Sequence, residues 1–244
     1  MEKLREIADL IRDKEYVVAF TGAGISVDSG IPAFRGGQGL WEKYDPMDYA
    51  HISAFMSNPE RVWTMLREMS EVILEAQPSP AHMALGGLEK KGFLKGVITQ
   101  NVDGLHQIAG NNNVIEYHGN HRWLVCMNCS MKYALLPELV SIMPYPVCEK
   151  CKTALKPSVV FFGEGIPAME MRRANDEAHR CKVLLIMGTS GVVYPAAEIP
   201  YASKLQGAVI VEINVSATPF TSSITDHFLK GNVSEIMPKI VELL

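Results

Sequence analysis

The chain has 244 residues, 48% of them hydrophobic, which is enough to bury one substantial core and to carry insertions on it. With 20% charged residues, a net charge of −4 and a pI near 6.0, it has no basic field of the kind that recruits nucleic acid or an anionic membrane. No uncharged apolar run approaches the roughly 18 residues of a spanning helix, and the amino-terminal residues mix acids with bases, so the sequence predicts a cytoplasmic protein whose partners are small molecules and other proteins.

The first segment sets Leu4, Ile7, Ala8 and Ile11 on one helical face, and Tyr16-Val-Val-Ala-Phe20 follows as a short β-branched and aromatic run. That run leads into Thr21-Gly22-Ala23-Gly24-Ile25-Ser26, where glycines let backbone N–H groups approach a pyrophosphate at the start of a helix. Val27 stands where the dinucleotide fingerprint has its third glycine, so the loop alone reads equally as a tight strand-to-helix turn without a ligand. Gly30-Ile-Pro-Ala-Phe-Arg-Gly36 suits a segment that closes over a cofactor and meets phosphate through Arg35, although an isolated loop of this kind is also an ordinary surface feature. Residues 31–76 then look helical and rich in aromatics.

Further apolar runs at Gly96-Val-Ile-Thr99, Val114-Ile-Glu-Tyr117, Val183-Leu-Leu-Ile-Met187 and Val209-Ile-Val-Glu-Ile213 are mostly separated by stretches of helical spacing. The alternation predicts an α/β fold with a doubly wound, largely parallel sheet. The runs end in Thr21-Gly22, Gln100-Asn101, His118-Gly119, Gly188-Thr189-Ser190 and Asn214. Ligands bind at the carboxyl ends of strands in such sheets, so these five clusters are expected around one crevice.

Of five cysteines, Cys126-x-x-Cys129 and Cys148-x-x-Cys151 are separated by eighteen residues, the spacing of a zinc ribbon. Four thiolates close a tetrahedral site and leave no position for water, so the predicted metal is one structural zinc ion. The alternative, two disulfides, does not suit a cytoplasmic chain. Cys181 reads as a small buried residue.

Taken together, Gly22-Ala-Gly-Ile-Ser26, Gly30-Ile-Pro-Ala-Phe-Arg-Gly36, Thr99-Gln-Asn-Val-Asp-Gly-Leu-His106, His118-Gly119, the cysteine pairs, Phe161-Phe-Gly-Glu164 and Gly188-Thr-Ser190 resemble the sirtuin family in order and spacing, from about residue 15 to the last helix. The resemblance implies a Rossmann-like NAD-binding domain formed by 1–30, 77–119 and 157–244, with a cofactor loop and helical insertion at 31–76 and a zinc-binding insertion at 120–156. It also implies an NAD-dependent protein-lysine deacylase, in which the acyl oxygen of a modified lysine attacks the nicotinamide-bearing ribose carbon. NAD is then consumed to nicotinamide and O-acyl-ADP-ribose.

The resemblance carries over residue by residue. His118 is implied as the base toward a ribose hydroxyl, work that suits a neutral imidazole, whereas a lone histidine after a strand would read as a packing residue. Asn101 and Asp103 are implied to hold the nicotinamide carboxamide and a water, although Asx turns use the same residues. Gln100 is implied at the ribose, Val102 at nicotinamide and Phe34 over the ribose, where it excludes water. Gly22, Ala23, Gly24, Arg35, Gly188, Thr189, Ser190 and Asn214 are implied at phosphates and the adenosine ribose, with Asn232 and Val233 beside adenine. Val160, Phe162, Gly163 and Glu164, with Val193 and Tyr194, are implied to take the substrate peptide as an added strand. Without the resemblance, residues 159–162 read as a buried strand.

Two departures bear on specificity. The family often has an acidic residue where this chain has Ala33, which bears on loop closure and nicotinamide cleavage. Relatives that remove acidic acyl groups carry a tyrosine and an arginine at positions that fall here on Leu66 and Met69, with Arg67 nearby. An apolar pocket favours acetyl or longer aliphatic groups over succinyl, because a buried carboxylate needs a partner. The residues also admit two competing readings. One is NAD-dependent ADP-ribosyl transfer or NAD hydrolysis, and the other is an NAD-sensing module whose zinc ribbon contacts nucleic acid, against which the acidic pI counts.

Overall fold

The computed structural model describes residues 1–14, 16–34 and 39–244. Its strands in chain order are β1 (Val17–Thr21), β2 (Leu94–Thr99), β3 (Val114–Glu116), β4 (Gly119–Cys126), β5 (Lys132–Ala134), β6 (Leu155–Val159), β7 (Val183–Met187), β8 (Val209–Asn214) and β9 (His227–Lys230). Six of them form one sheet in the order β3-β2-β1-β7-β8-β9, with every pairing parallel. Renumbered within that sheet, this is the 3-2-1-4-5-6 order of doubly wound α/β domains. The remaining three form an antiparallel sheet in the order β5-β4-β6.

Period-two alternation explains why the central strands are continuous apolar runs. In β1, Val17 and Ala19 join the core under helices Glu2–Asp13, Pro80–Lys90 and Val233–Val241. Val18 and Phe20 join the opposite core under helices Ala168–Arg180 and Glu198–Leu205. Both faces are covered, so every residue of β1 and β7 is buried and none needs to be polar. Strand β9 was not foreseen from the sequence. It is a short edge strand with His227 and Lys230 at its ends, and it has no apolar run to announce it.

A third core joins the helical segment to the cysteine-bearing one. Helix Pro59–Glu75 starts with Pro59 in its first turn and the Asn58 side chain accepting the Arg61 N–H, and it buries Val62, Trp63, Met65 and Leu66. These pack with Leu124, Cys126, Cys148 and Leu155, and the Trp63 indole N–H donates to the Leu155 carbonyl at 2.9 Å. The segment after β6 leaves the sheet instead of continuing a buried strand. Phe162 N–H donates to the Ala50 carbonyl and Ile52 N–H to the Phe162 carbonyl, both at 2.9 Å, so this stretch ties the segment after β6 to the helical segment at 31–76.

The sulfurs of Cys126, Cys129, Cys148 and Cys151 lie within 4.8 Å of one another, and none is in a disulfide. The Cys129 to Cys148 separation is 3.7 Å, close to the edge of a tetrahedron with zinc–sulfur bonds of about 2.3 Å. The Thr153 hydroxyl against Cys126 pulls that thiol down to about 6, and Tyr133 pulls Cys148 down, while Cys129 pushes Cys151 up to about 12. Four sulfurs gathered this closely fit a dication that binds them as thiolates and displaces their protons. Two of the cysteines belong to the third core, so stripping the metal is expected to lower the melting temperature by on the order of 10 °C. Calorimetry after chelation, beside zinc quantitation giving one ion per chain, checks it.

Candidate active site

The sheet order reverses direction between β1 and β7, and a cavity of about 580 Å³ opens at the carboxyl ends of the strands there. All five polar or small clusters expected from the sequence contribute to its lining: Gly22 after β1, Gln100 and Asn101 after β2, His118 after β3, Gly188 to Ser190 after β7, and Asn214 on β8. The space exists because two turns pack backbone on backbone. Gly24 N–H donates to the Gly188 carbonyl at 2.8 Å, and a Cβ on Gly24 would lie 2.7 Å from the Gly188 Cα. Gly188 itself has φ +60°, and its own Cβ would meet the Ile25 nitrogen at 2.6 Å. Ala23 and Gly24 line the cavity beside this contact, a cradle that a side chain would fill.

The His118 side chain sits between β3 and β4, partly buried, with Nδ1 3.1 Å from the Gln100 carbonyl. A carbonyl only accepts, so Nδ1 carries the proton and Nε2 keeps its lone pair. Burial moves the imidazole below its ordinary 6.5, only partly opposed by the Gln100 hydrogen bond. Gly119, at φ +75°, follows because a Cβ there would lie 2.1 Å from the Ser158 carbonyl. The same close approach lets Val160 N–H donate to the His118 carbonyl at 2.8 Å, which fixes the cleft segment to the histidine.

The loop after β2 carries a closed polar network. Asn101 donates from Nδ2 to the Gly22 carbonyl at 3.2 Å and to the Ser26 hydroxyl at 3.0 Å, and Ser26 donates onward to Asp103 Oδ2 at 2.7 Å. Asp103 Oδ1 accepts the Leu105 N–H at 2.9 Å. Burial raises the Asp103 carboxyl, and the Leu105 and Ser26 hydrogen bonds oppose that rise. Asp103 is absent from the cavity lining, whereas Asn101 and Val102 belong to it. The aspartate orients Ser26 and, through it, Asn101.

Elsewhere, polar lining groups are held by one another. Gln100 Nε2 donates to the Thr189 hydroxyl at 2.9 Å, and Asn214 Nδ2 donates to the Thr189 carbonyl at 2.8 Å. Asn232 caps helix Val233–Val241 by accepting the Ser234 N–H, and it donates to Asp28 at 2.9 Å, while it and Val233 line the far end of the cavity. Arg35 lies outside the described residues.

Val160, Phe162, Gly163, Glu164, Val193 and Tyr194 all line the cavity, with the Phe162 and Tyr194 side chains exposed. One Glu164 oxygen accepts from Lys156 at 2.9 Å and from the Phe161 N–H at 2.8 Å, so this carboxylate braces the turn. Phe34 stacks on Trp41 at 5.3 Å between ring centres, and Trp41 meets Phe162 at 6.3 Å. Leu66 and Met69 also line the cavity. Arg67 does not, because its guanidinium donates to the carbonyls of Val140, Ile142 and Pro144. Lining residues that sequence reasoning missed include Trp41, Met65, His121 and residues 215–218. Only the aromatic richness of 31–76 hinted at Trp41; the others carry no local signal.

Comparison with known proteins agrees with this architecture. A family model described as the Sir2 family matches residues 22–195. The NAD-dependent protein deacylase of Pyrococcus furiosus is 47% identical over 244 residues, covering 98% of this chain and 97% of that protein. A mutant Sir2 homologue in complex with ADP-ribose superimposes with a TM-score of 0.94 at 42% identity, covering 98% of this chain and 95% of that one. Another Sir2 structure, with a deacetylated peptide and 3'-O-acetyl ADP-ribose, gives a TM-score of 0.92 at 38% identity, covering 98% and 97%. With more than half its length matched by the family model and nearly all of it by these relatives, this chain belongs to the Sir2 family.

Proposed function

We propose that this chain is an NAD-dependent protein-lysine deacylase whose base is His118. The observation that carries the reading is the protonation state forced on that residue. Gln100 holds the Nδ1 proton, leaving Nε2 to accept one, at the end of β3 in the same cavity as the Gly24 to Gly188 cradle. NAD supplies the electrophilic ribose carbon that collects the acyl oxygen, and it is consumed as nicotinamide and O-acyl-ADP-ribose.

The chain's own residues divide the remaining work. Backbone N–H groups near Gly22, Ala23 and Gly24 receive phosphate, with Arg35 from the adjoining loop. Gly188, Thr189, Ser190 and Asn214 hold phosphate and the adenosine ribose, and Asn232 and Val233 flank adenine. Gln100 reaches the other ribose. Asn101 offers its Oδ1 to the nicotinamide carboxamide, since both its N–H donors are engaged, while Val102 gives that ring an apolar neighbour. Asp103 fixes the network through Ser26. Phe34, braced by Trp41, excludes water from the reacting carbon. His118 Nε2 takes the proton of the ribose hydroxyl that must become a nucleophile.

The peptide lies along Val160, Phe162, Gly163 and Glu164 on one side and Val193 and Tyr194 on the other, pairing through backbone, so many sequences are accepted around the modified lysine. Segments 1–30, 77–119 and 157–244 carry NAD, 31–76 closes over it, and 120–156 acts through the shared core. The zinc ion orders that module and takes no part in the chemistry. No described helix is long and apolar enough to cross a membrane. The two Cys-x-x-Cys pairs and the net charge of −4 make a cytoplasmic protein, with small molecules and other proteins as partners, the reading that fits best.

Incubation with NAD and an acetyl-lysine peptide is expected to release nicotinamide, deacetylated peptide and acetyl-ADP-ribose in equal amounts by mass spectrometry. His118→Ala should lower that turnover about 100-fold or more. Nicotinamide release without deacetylation would instead establish ADP-ribosyl transfer or hydrolysis. The base must be neutral to accept its proton, and burial lowers its pKa, so the acid limb of the kcat/KM profile should fall below pH 6.5. Succinyl-lysine should be processed with kcat/KM roughly 100-fold or more below acetyl-lysine, because Arg67 is turned away and leaves a buried carboxylate unpaired. Parallel kinetics on two peptides of one sequence measures this.

A further inference from the structure

His121 lines the cavity, as do Met65, Leu66 and Met69, and it is tied to the Leu66 turn through Ser70; neither the sequence motifs nor the reaction explains it. Its backbone N–H donates to the Val102 carbonyl at 2.9 Å, which seats the residue beside Val102. The residue is only 5% exposed. Its Nε2 lies 2.8 Å from the Ser70 hydroxyl, and that hydroxyl donates its single proton to the Leu66 carbonyl at 2.6 Å. With its proton committed, Ser70 can only accept, so the imidazole proton sits on Nε2 and Nδ1 holds a lone pair. Nδ1 has no hydrogen-bond partner among the described residues, and the residue that carries it lines the cavity. No described lysine or arginine lines the cavity to compete for it.

We propose that His121 is a specificity-determining residue for the acyl group, presenting an Nδ1 acceptor that selects lysines whose acyl chain carries a hydroxyl over their plain aliphatic counterparts. The inference rests on the deacylase reading above. A hydroxyl is the smallest donor an acyl chain can bring, and without one a buried acceptor is left unsatisfied whenever the chain displaces water from it. A carboxylate gains nothing there. Burial holds the imidazole at about 4, so at neutral pH it has no second proton to offer an anion.

The test uses the full chain, NAD and one peptide sequence bearing acetyl-lysine, butyryl-lysine or either enantiomer of 3-hydroxybutyryl-lysine, with kcat/KM measured for each. The decisive quantity is the ratio of 3-hydroxybutyryl to butyryl within each enzyme, which cancels any loss common to both substrates. His121→Leu should lower that ratio about fivefold for the better enantiomer, the worth of one neutral hydrogen bond. Ser70→Ala, which removes the group fixing the tautomer but keeps the imidazole, should lower it by a smaller factor. A ratio that stays the same in wild type and both variants while acetyl-lysine is still turned over overturns the role of His121 and leaves the deacylase reading standing. Absence of deacylation of all four peptides by the wild type overturns the deacylase reading and this one with it.

Discussion

The contact between the turn after β1 and the turn after β7 sets the terms for everything else in this molecule. Gly24 and Gly188 meet with no side chain between them, and either Cβ would collide with backbone. Backbone cannot yield as the end of a flexible side chain can, so the contact fixes the spacing of the two central strands at their carboxyl ends. It also leaves an unfilled concavity in front of them, at the point where the strand order reverses. The clusters after β2, β3 and β8 then fall around that concavity, because parallel pairing aligns their ends with those of β1 and β7.

Chemistry at the site is set less by the functional groups than by the neighbours that use up their hydrogen-bonding capacity. A carbonyl of Gln100 decides which nitrogen of His118 is free. The Ser70 hydroxyl, already committed to Leu66, decides the same for His121. The amide protons of Asn101 are taken by Gly22 and Ser26, and the Asp103 carboxylate is filled by Ser26 and Leu105. For the two histidines, a partner left able only to accept removes one of the two tautomers. A site built this way is organised before any ligand arrives, which is the form in which electrostatic and proton-transfer catalysis is most effective.

The third core explains how a metal far from the reacting groups matters to them. Cys126 and Cys148 pack in the same cluster as Trp63 and Leu66, and Leu66 is also part of the cavity wall. The zinc module and the Leu66 part of the cavity wall are therefore two faces of one packed unit, joined further by the Trp63 to Leu155 hydrogen bond. Loss of order on the cysteine side propagates by packing, because close-packed interiors transmit strain.

Much of this was legible in the sequence, for physical reasons that differ by feature. Strands buried on both faces announce themselves as apolar runs, so β1, β2, β3, β7 and β8 were visible to within a residue or two, while the half-polar edge strand β9 was not. The cysteine spacing alone predicted a tetrahedral cluster, since a metal constrains its ligands more tightly than packing constrains a core. Strand-end residues such as His118, Asn101 and Thr189 could be assigned to one crevice because a parallel sheet leaves no other place for them. Only the tertiary structure decided the rest. The tautomers of His118 and His121, the engagement of Asp103 by Ser26, the outward turn of Arg67 and the bracing of Glu164 by Lys156 each depend on a partner brought near by folding. Sequence records which groups are present, but their protonation and direction are settled by contacts between residues far apart in the chain, as between Ser70 and His121 or Lys156 and the turn it holds.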